Sequence, residues 1–326
     1  MATEVFLTIV AGLVLFLFAV NNLSEILQKI IGENAKKYIE KFTSNTFKSI
    51  LVGTLVTILL DSSSAVIIIT IVLVNSKILT FRQAMGIVLG ANIGTTFSSQ
   101  IIAMDIGKYS PIFLLIGFGL LLFSKSVKFC NAGKVILYFG ILFFGLFTME
   151  NAVEPLREDA LFLNWIKKTE DPITGTIIGA IVTVIIQSSS ATVGIALILA
   201  KKGLLTLVGG VAVMLGAELG TCADTLIATI NGSRDALKTG LFHLIFNLIS
   251  IIIGLFLFYP FIEIVTIVSK NASIERTLAN AHMLFNILGV ILFVWTVPFF
   301  EKLLNKLLPN KVTKKHNAQI NSIEIL

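Results

Sequence analysis

Charge is what this sequence has least of. Asp, Glu, Lys and Arg make up 13% of its 326 residues, against 56% apolar residues and a mean hydropathy of +0.93, which excludes a soluble globule. Proline is scarce too, at six residues, so long uncharged runs continue unbroken over the roughly 20 residues that a membrane span needs. No stretch between those runs is long enough for a soluble domain. There are two cysteines, Cys130 and Cys222, far apart and without metal-ligand spacing, and both are expected to be free thiols. The start, Met1-Ala2-Thr3-Glu4, lacks a basic leader and no clear cleavage site follows, so no removed signal peptide is expected. The net charge of +6 does not indicate nucleic acid, because the lysines gather in short loops between apolar runs, as positive-inside topology requires. These features predict an all-α polytopic protein of the cytoplasmic membrane.

What is present is a polar word, used twice. Asp61-Ser62-Ser63-Ser64-Ala65 interrupts an apolar stretch, and Gln187-Ser188-Ser189-Ser190-Ala191 repeats it 126 positions later. The same offset places Gly53 on Gly179, Thr57 on Thr183, Thr80 on Thr206, and Gly90-Ala91-x-x-Gly94-Thr95 on Gly216-Ala217-x-x-Gly220-Thr221. From 53 to 96 there are 16 identities in 44 gapless positions, too many polar coincidences at one spacing for chance, so the chain is internally duplicated.

In order, a first span covers 5–22 and its helix runs on towards Ile31. A loop with Lys29, Lys36, Lys37, Lys41 and Lys48 follows. Residues 49–75 are long enough to cross, yet a crossing would put Asp61 at the bilayer midplane and one of two basic clusters outside. A re-entrant hairpin with its tip at 61–64 avoids both. Residues 83–103 are a broken span around Gly90–Thr96, 111–123 a short return span, and 135–149 a span whose end echoes the first: Phe147-x-x-Glu150-Asn151 against Phe18-x-x-Asn21-Asn22. Three crossings plus a hairpin make an odd count, so repeat two, 131–260, enters from the side opposite to repeat one, 1–130. Repeat two holds a second hairpin at 173–200, a broken span at 205–229 and a span at 239–259. Region 261–300 carries the last span (278–299), and 301–326 is a basic, frayed cytoplasmic tail. The architecture is therefore about seven spans and two hairpins in two inverted repeats, with the N-terminus outside and the C-terminus cytoplasmic. Such repeats commonly hold substrate near the midplane on discontinuous helices.

A helix beginning at each serine run would offer unpaired amides and a partial positive charge, with hydroxyl donors beside them. Ser62, Ser63, Ser64, Ser188, Ser189 and Ser190 thus become candidate anion ligands, with Gln187, Asn92 and Thr95 in support. No Arg or Lys lies in a predicted membrane core to do this instead. Asp61, Glu218 and Asp224, with Gln187, Thr96 and Thr221, supply oxygens of the kind that suit alkali cations; a protonated carboxyl used only in packing is the other reading of Asp61 and Glu218. His243-x-x-Phe246-Asn247 and His282-x-x-Phe285-Asn286 form a further echo and place both words on inward faces. Serines that merely join helices are the alternative to a site.

These residues resemble the type II sodium-phosphate cotransporter family. Gln187–Ser190 matches its Gln-Ser-Ser-Ser tip, Gly90–Thr96 matches its Gly-x-Asn-Ile-Gly-Thr-Thr break, and the histidine words look like the family's. The resemblance covers roughly residues 5 to 300. It implies sodium-coupled symport of inorganic phosphate, with phosphate on the serine tips and sodium on neighbouring oxygens; no C-terminal regulatory domain of the kind some bacterial relatives carry is expected. Gly90, Gly94, Gly216 and Gly220 are supporting residues, as are His243, Asn247, His282 and Asn286. Asp61 and Glu218 depart from the family pattern, which has Gln and Asn there, and leave sodium stoichiometry and proton coupling open. The partners implied are phosphate, sodium and the bilayer; a homodimer is compatible.

Other readings keep less of the pattern. Sulfate, arsenate or a dicarboxylate on the same fold, coupled to sodium or protons, is the nearest. A channel needs a continuous polar path rather than two tips that stop halfway. A serine hydrolase needs one nucleophile, not three adjacent serines duplicated in register, so no enzyme is expected.

Overall fold

The computed structural model describes residues 2–104, 106–230 and 232–309. Among these there is no strand. The helices are α1 (Ala2–Phe42), α2 (Thr46–Leu60), α3 (Ser63–Asn75), α4 (Phe81–Ile102), α5 (Ser110–Phe123), α6 (Val127–Ala152), α7 (Ala160–Lys167), α8 (Pro172–Ile186), α9 (Ser189–Lys201), α10 (Leu207–Gly220), α11 (Cys222–Ile227), α12 (Arg234–Phe256), α13 (Phe258–Val268), α14 (Ile274–Val294) and α15 (Val297–Leu307). Five helical stretches are long and apolar enough to cross a membrane, seven if each of two sharply bent pairs is one span. Large apolar side chains such as Leu115, Phe123, Ile185 and Phe256 point outward, a surface that suits lipid and not water.

The duplication is visible in the backbone. α2 and α8 each have 15 residues, and α3 and α9 each have 13. α2 ends on Asp61 at φ 50°, ψ 34°, and α8 ends on Gln187 at φ 58°, ψ 30°, both left-handed. The next residues, Ser62 and Ser188, return to extended backbone and accept from the amides of Ala65 and Ala191, each at 3.2 Å. A polar left-handed residue followed by an N-cap stops one helix and starts the next within two positions. The following helices start alike, on the N-caps Thr80 and Thr206. Each first arm lies tightly on its following helix: a Cβ at Gly90 would collide with the Ile50 carbonyl, and one at Gly216 with that of Thr176. These are close approaches that any side chain would prevent.

Several expectations need correction. α4 is not broken at 90–96; it runs unbroken from Phe81 to Ile102. The glycines there serve contact with α2. The polar side chains turn back on their own helix: Asn92 Nδ2 donates to the Val88 carbonyl (2.9 Å), Thr95 Oγ1 to Ala91 (3.1 Å) and Thr96 Oγ1 to Ile93 (2.7 Å). The second copy does break, at Thr221, between α10 and α11. α1 continues to Phe42, well past Ile31, because Ala35 and Ile39 are buried and hold the extension on the core. α6 starts at Val127, eight residues before the span expected at 135–149, so Lys128 and Lys134 belong to its helix. The last span ends at Val294. Residues 297–307, expected to be span end and frayed tail, form α15, whose Val297, Phe300 and Leu304 are buried on one face. Lys311, Lys314 and Lys315 lie outside the described residues.

Three apolar clusters make the core. One joins α2, α3 and α4 to α12, α14 and α15; a second joins α9 and α10 to α13 and α14; the third joins α1 and α6 and reaches α9. α14 packs against α4, α9 and α10, so one helix touches both copies.

Candidate functional site

The two helix breaks meet. Ser62, Ser63 and Ser64 from one copy and Ser188, Ser189 and Ser190 from the other line a single polar cavity of about 90 Å³, together with Asp61, Gln187 and Thr221. Val20, Asn21 and Ser24 of α1 complete the wall. No Lys or Arg lines it.

The amides do the electrostatic work. At each break the N-cap hydroxyl takes the third helical amide, and the N-cap carbonyl takes the fourth: Val66 N at 3.3 Å and Thr192 N at 3.1 Å. The first two amides, those of Ser63 and Ser64 and of Ser189 and Ser190, have no intrahelical acceptor by construction. Four such donors at two helix N-termini, with serine hydroxyls among them, suit an oxyanion without any cationic side chain. Asp61 brings the opposite charge. Its carboxylate accepts a hydrogen bond from Ser98 Oγ of α4, and the residue lines the same cavity.

The remaining predicted residues are elsewhere. Asn92, Thr95 and Thr96 are buried but do not line the cavity. Glu218 is 3% exposed and lies in a separate chain of hydrogen bonds, with Oε1 2.5 Å from His282 Nε2 and accepting from Asn286 Nδ2 at 2.9 Å. His282 Nδ1 lies 2.7 Å from Ser99 Oγ. His243 has the matching arrangement, with Nδ1 2.9 Å from Thr225 Oγ1, and Asn247 Nδ2 donates to Cys222 Sγ at 3.2 Å. Ser99 and Thr225 are 126 positions apart, so each histidine meets the same position of one copy. Asp224 is half-buried on α11, outside the cavity lining.

The Glu218 cluster predicts a stability effect. Glu218→Ala removes the partner of the buried His282 Nε2 and Asn286 Nδ2, and leaving a buried polar group without its partner costs about 1–3 kcal/mol. A markedly lower melting temperature in detergent is expected, with Glu218→Gln in between because its carbonyl still accepts from Asn286.

Sequence reasoning missed Asn21, Ser24, Ser98 and Ser99. The signal for the first was present: the Asn21-Asn22 echo at the end of α1 marks this helix, although only contact with the cavity shows why. Ser98 and Ser99 fall just after the motif and have no sequence mark of their own.

A chain with this outer surface, in which two matched helix breaks enclose one polar cavity, is a multi-pass membrane protein of internally duplicated build. Comparison with known families is more specific: the model described as Na+/Pi-cotransporter matches in two successive stretches, residues 15–151 and 157–297, and the chain belongs to that family. This is a transporter family, and the family resemblance read from the serine words stands. The uncharacterized protein YqeW of Bacillus subtilis is 29% identical over 94% of this chain and 99% of its own length. YjbB of Salmonella typhimurium, named for a proposed role in inorganic phosphate export, is 23% identical over 84% of this chain, which spans only 50% of that protein. The human sodium-dependent phosphate transport protein 2B is 36% identical over 29% of this chain and 14% of its own. No solved structure matches significantly.

Proposed function

We propose that this protein moves inorganic phosphate across the cytoplasmic membrane together with sodium, by alternating access. α2–α3 and α8–α9 are re-entrant hairpins inserted from opposite sides, and the two copies are inverted repeats whose tips meet near the midplane. Phosphate sits between the tips on the four free amides and the serine hydroxyls. Asp61, with oxygens of Gln187 and Thr221, holds a sodium ion beside it. The observation that carries this reading is the convergence of both serine runs on one cavity without a cationic side chain.

Repeat one then faces its basic loop inward and the C-terminus is cytoplasmic. One relative is named for phosphate export and another for sodium-dependent phosphate transport, and in a symporter the ion gradients set the direction. Purified protein in proteoliposomes should accumulate labelled phosphate when sodium is higher outside, release it when the gradient is reversed, and ignore a tenfold (about 1.4 kcal/mol of site preference) excess of sulfate. Absence of sodium-stimulated phosphate movement by folded protein refutes the reading, and equal competition by sulfate reassigns the substrate to oxyanions in general.

A further inference from the structure

α1 and α2 run antiparallel and pack together along their length, with two places that mark the ends of their seam. One is the turn at 43–45. The other is 18 residues back along α1, where Ser24 Oγ donates to the Leu60 carbonyl at 3.3 Å. Alongside this seam lies a groove of about 610 Å³, far larger than the polar cavity. Its α2 wall is Leu51, Leu55 and Leu59, one per turn along a single face, all about half exposed. From Lys48 to Leu59 this face is about 16 Å long at the α-helical rise.

The two ends of the groove differ in kind. The end near the turn is lined by Lys41, Lys48, Ser44 and Tyr38, and the rest is apolar. Neither lysine makes an ion pair among the described residues. The backbone at that end is the start of α2, a 15-residue helix whose first turn adds positive potential. Tyr38 and Phe42 stack at 5.9 Å and form a flat flank, the amphipathic-ring placement found at membrane interfaces. A groove with two cations and hydroxyls at one end and a leucine face running from it is complementary to one kind of molecule.

We propose that this groove binds a single anionic phospholipid, with its phosphodiester between Lys41 and Lys48 and an acyl chain along Leu51, Leu55 and Leu59. Charge complementarity selects it over a zwitterionic lipid, and the apolar wall selects it over a free phosphate ion. The lipid lies along the seam between α1, which lines the polar cavity through Asn21 and Ser24, and α2, which ends on Asp61. It therefore ties the two helices on either side of the site.

The test is binding of phosphatidylglycerol to the full chain in phosphatidylcholine nanodiscs, read by native mass spectrometry and by melting temperature. Wild type should retain one phosphatidylglycerol and melt higher than in phosphatidylcholine alone, whereas added glycerol phosphate without the chain should give no rise. The double variant Lys41→Gln/Lys48→Gln should lose roughly thirtyfold in affinity, the Lys41→Arg/Lys48→Arg control should keep it, and Leu55→Trp should exclude the chain. Equal retention of phosphatidylcholine and phosphatidylglycerol, or an undiminished affinity in the Gln double variant, overturns the proposal, as does equal stabilisation by glycerol phosphate. None of these readouts depends on phosphate transport, so failure here and failure of the transport reading are told apart.

Discussion

Ser63→Pro and Ser189→Pro should each weaken phosphate binding by roughly ten- to hundredfold, well beyond Ser63→Ala and Ser189→Ala. The comparison separates the backbone amide from the hydroxyl. Ser63 and Ser189 are the first helical residues of α3 and α9, the one position where proline is well tolerated, because its missing N–H has no helical acceptor to lose. The residues before them, Ser62 at φ −157°, ψ 107° and Ser188 at φ −153°, ψ 110°, already hold the extended backbone that a following proline requires. Proline thus keeps the helix and its cap and deletes one N–H of a residue that lines the cavity. A hydrogen bond to a charged group contributes about 1.5–3 kcal/mol, which is the fold-change stated. Alanine deletes only a hydroxyl among six. The measurement is the half-saturating phosphate concentration for transport or for thermal stabilisation. Proline variants that bind phosphate as well as the alanine ones would show that the amides are not the anion's ligands. The two copies provide an internal check, since matched geometry at 63 and 189 requires matched effects.

Much of this site was legible because its chemistry is written as contiguous words. Three serines after a polar residue specify a helix stop and a helix start locally, and duplication at a fixed offset shows that both copies matter. The apolar background made the class of protein plain for the same reason, since burial in lipid leaves a one-dimensional trace. What was not legible depends on which surfaces touch. Gly90 and Gly94 read as a break in α4, yet they are contact points for α2, and a glycine-rich segment has the same sequence in either role. Threonine and asparagine likewise suggest ligands, but inside a helix they satisfy the carbonyl one turn back, as Asn92, Thr95 and Thr96 do. Glu218 looked like a partner for the cavity because its copy occupies a motif. Its actual neighbours, His282 and Asn286, are more than 60 positions away in the chain, beyond any local pattern. α13 and α15 were missed since both follow directly on a longer helix with no side-chain N-cap to separate them from its end.

Asp61→Asn should reduce the response to sodium while leaving the fold and the cavity-lining serines in place. Asparagine adopts the left-handed conformation at least as readily as aspartate, so the end of α2 is retained, and its Oδ1 still accepts from Ser98. What disappears is the one carboxylate that lines the cavity. Next to a bound phosphate that charge is unfavourable unless a cation lies between them: two unit charges about 4 Å apart interact with about 4 kcal/mol at the effective dielectric of a protein site. In the proposed mechanism, a sodium ion held by Asp61 would turn this repulsion into an obligatory order, in which phosphate binds well only after the cation. Removing the carboxylate removes both the need for that ion and its main ligand. The half-saturating sodium concentration should then rise by roughly tenfold or the sodium dependence flatten (a loss of about 1.4 kcal/mol), with one fewer positive charge moved per phosphate, and phosphate affinity at saturating sodium should hold or improve. The matched position supports this assignment, because Gln187 has the same backbone geometry and no charge, so the two copies differ in charge and not in shape. Glu218→Gln is the contrasting variant: its carboxyl lies outside the cavity with His282 and Asn286, and it should change stability more than sodium activation. Sodium activation and charge movement unchanged in Asp61→Asn, measured as phosphate uptake and current across sodium concentrations, would remove Asp61 from the cation site and return the coupling ion to the neutral oxygens of Gln187 and Thr221.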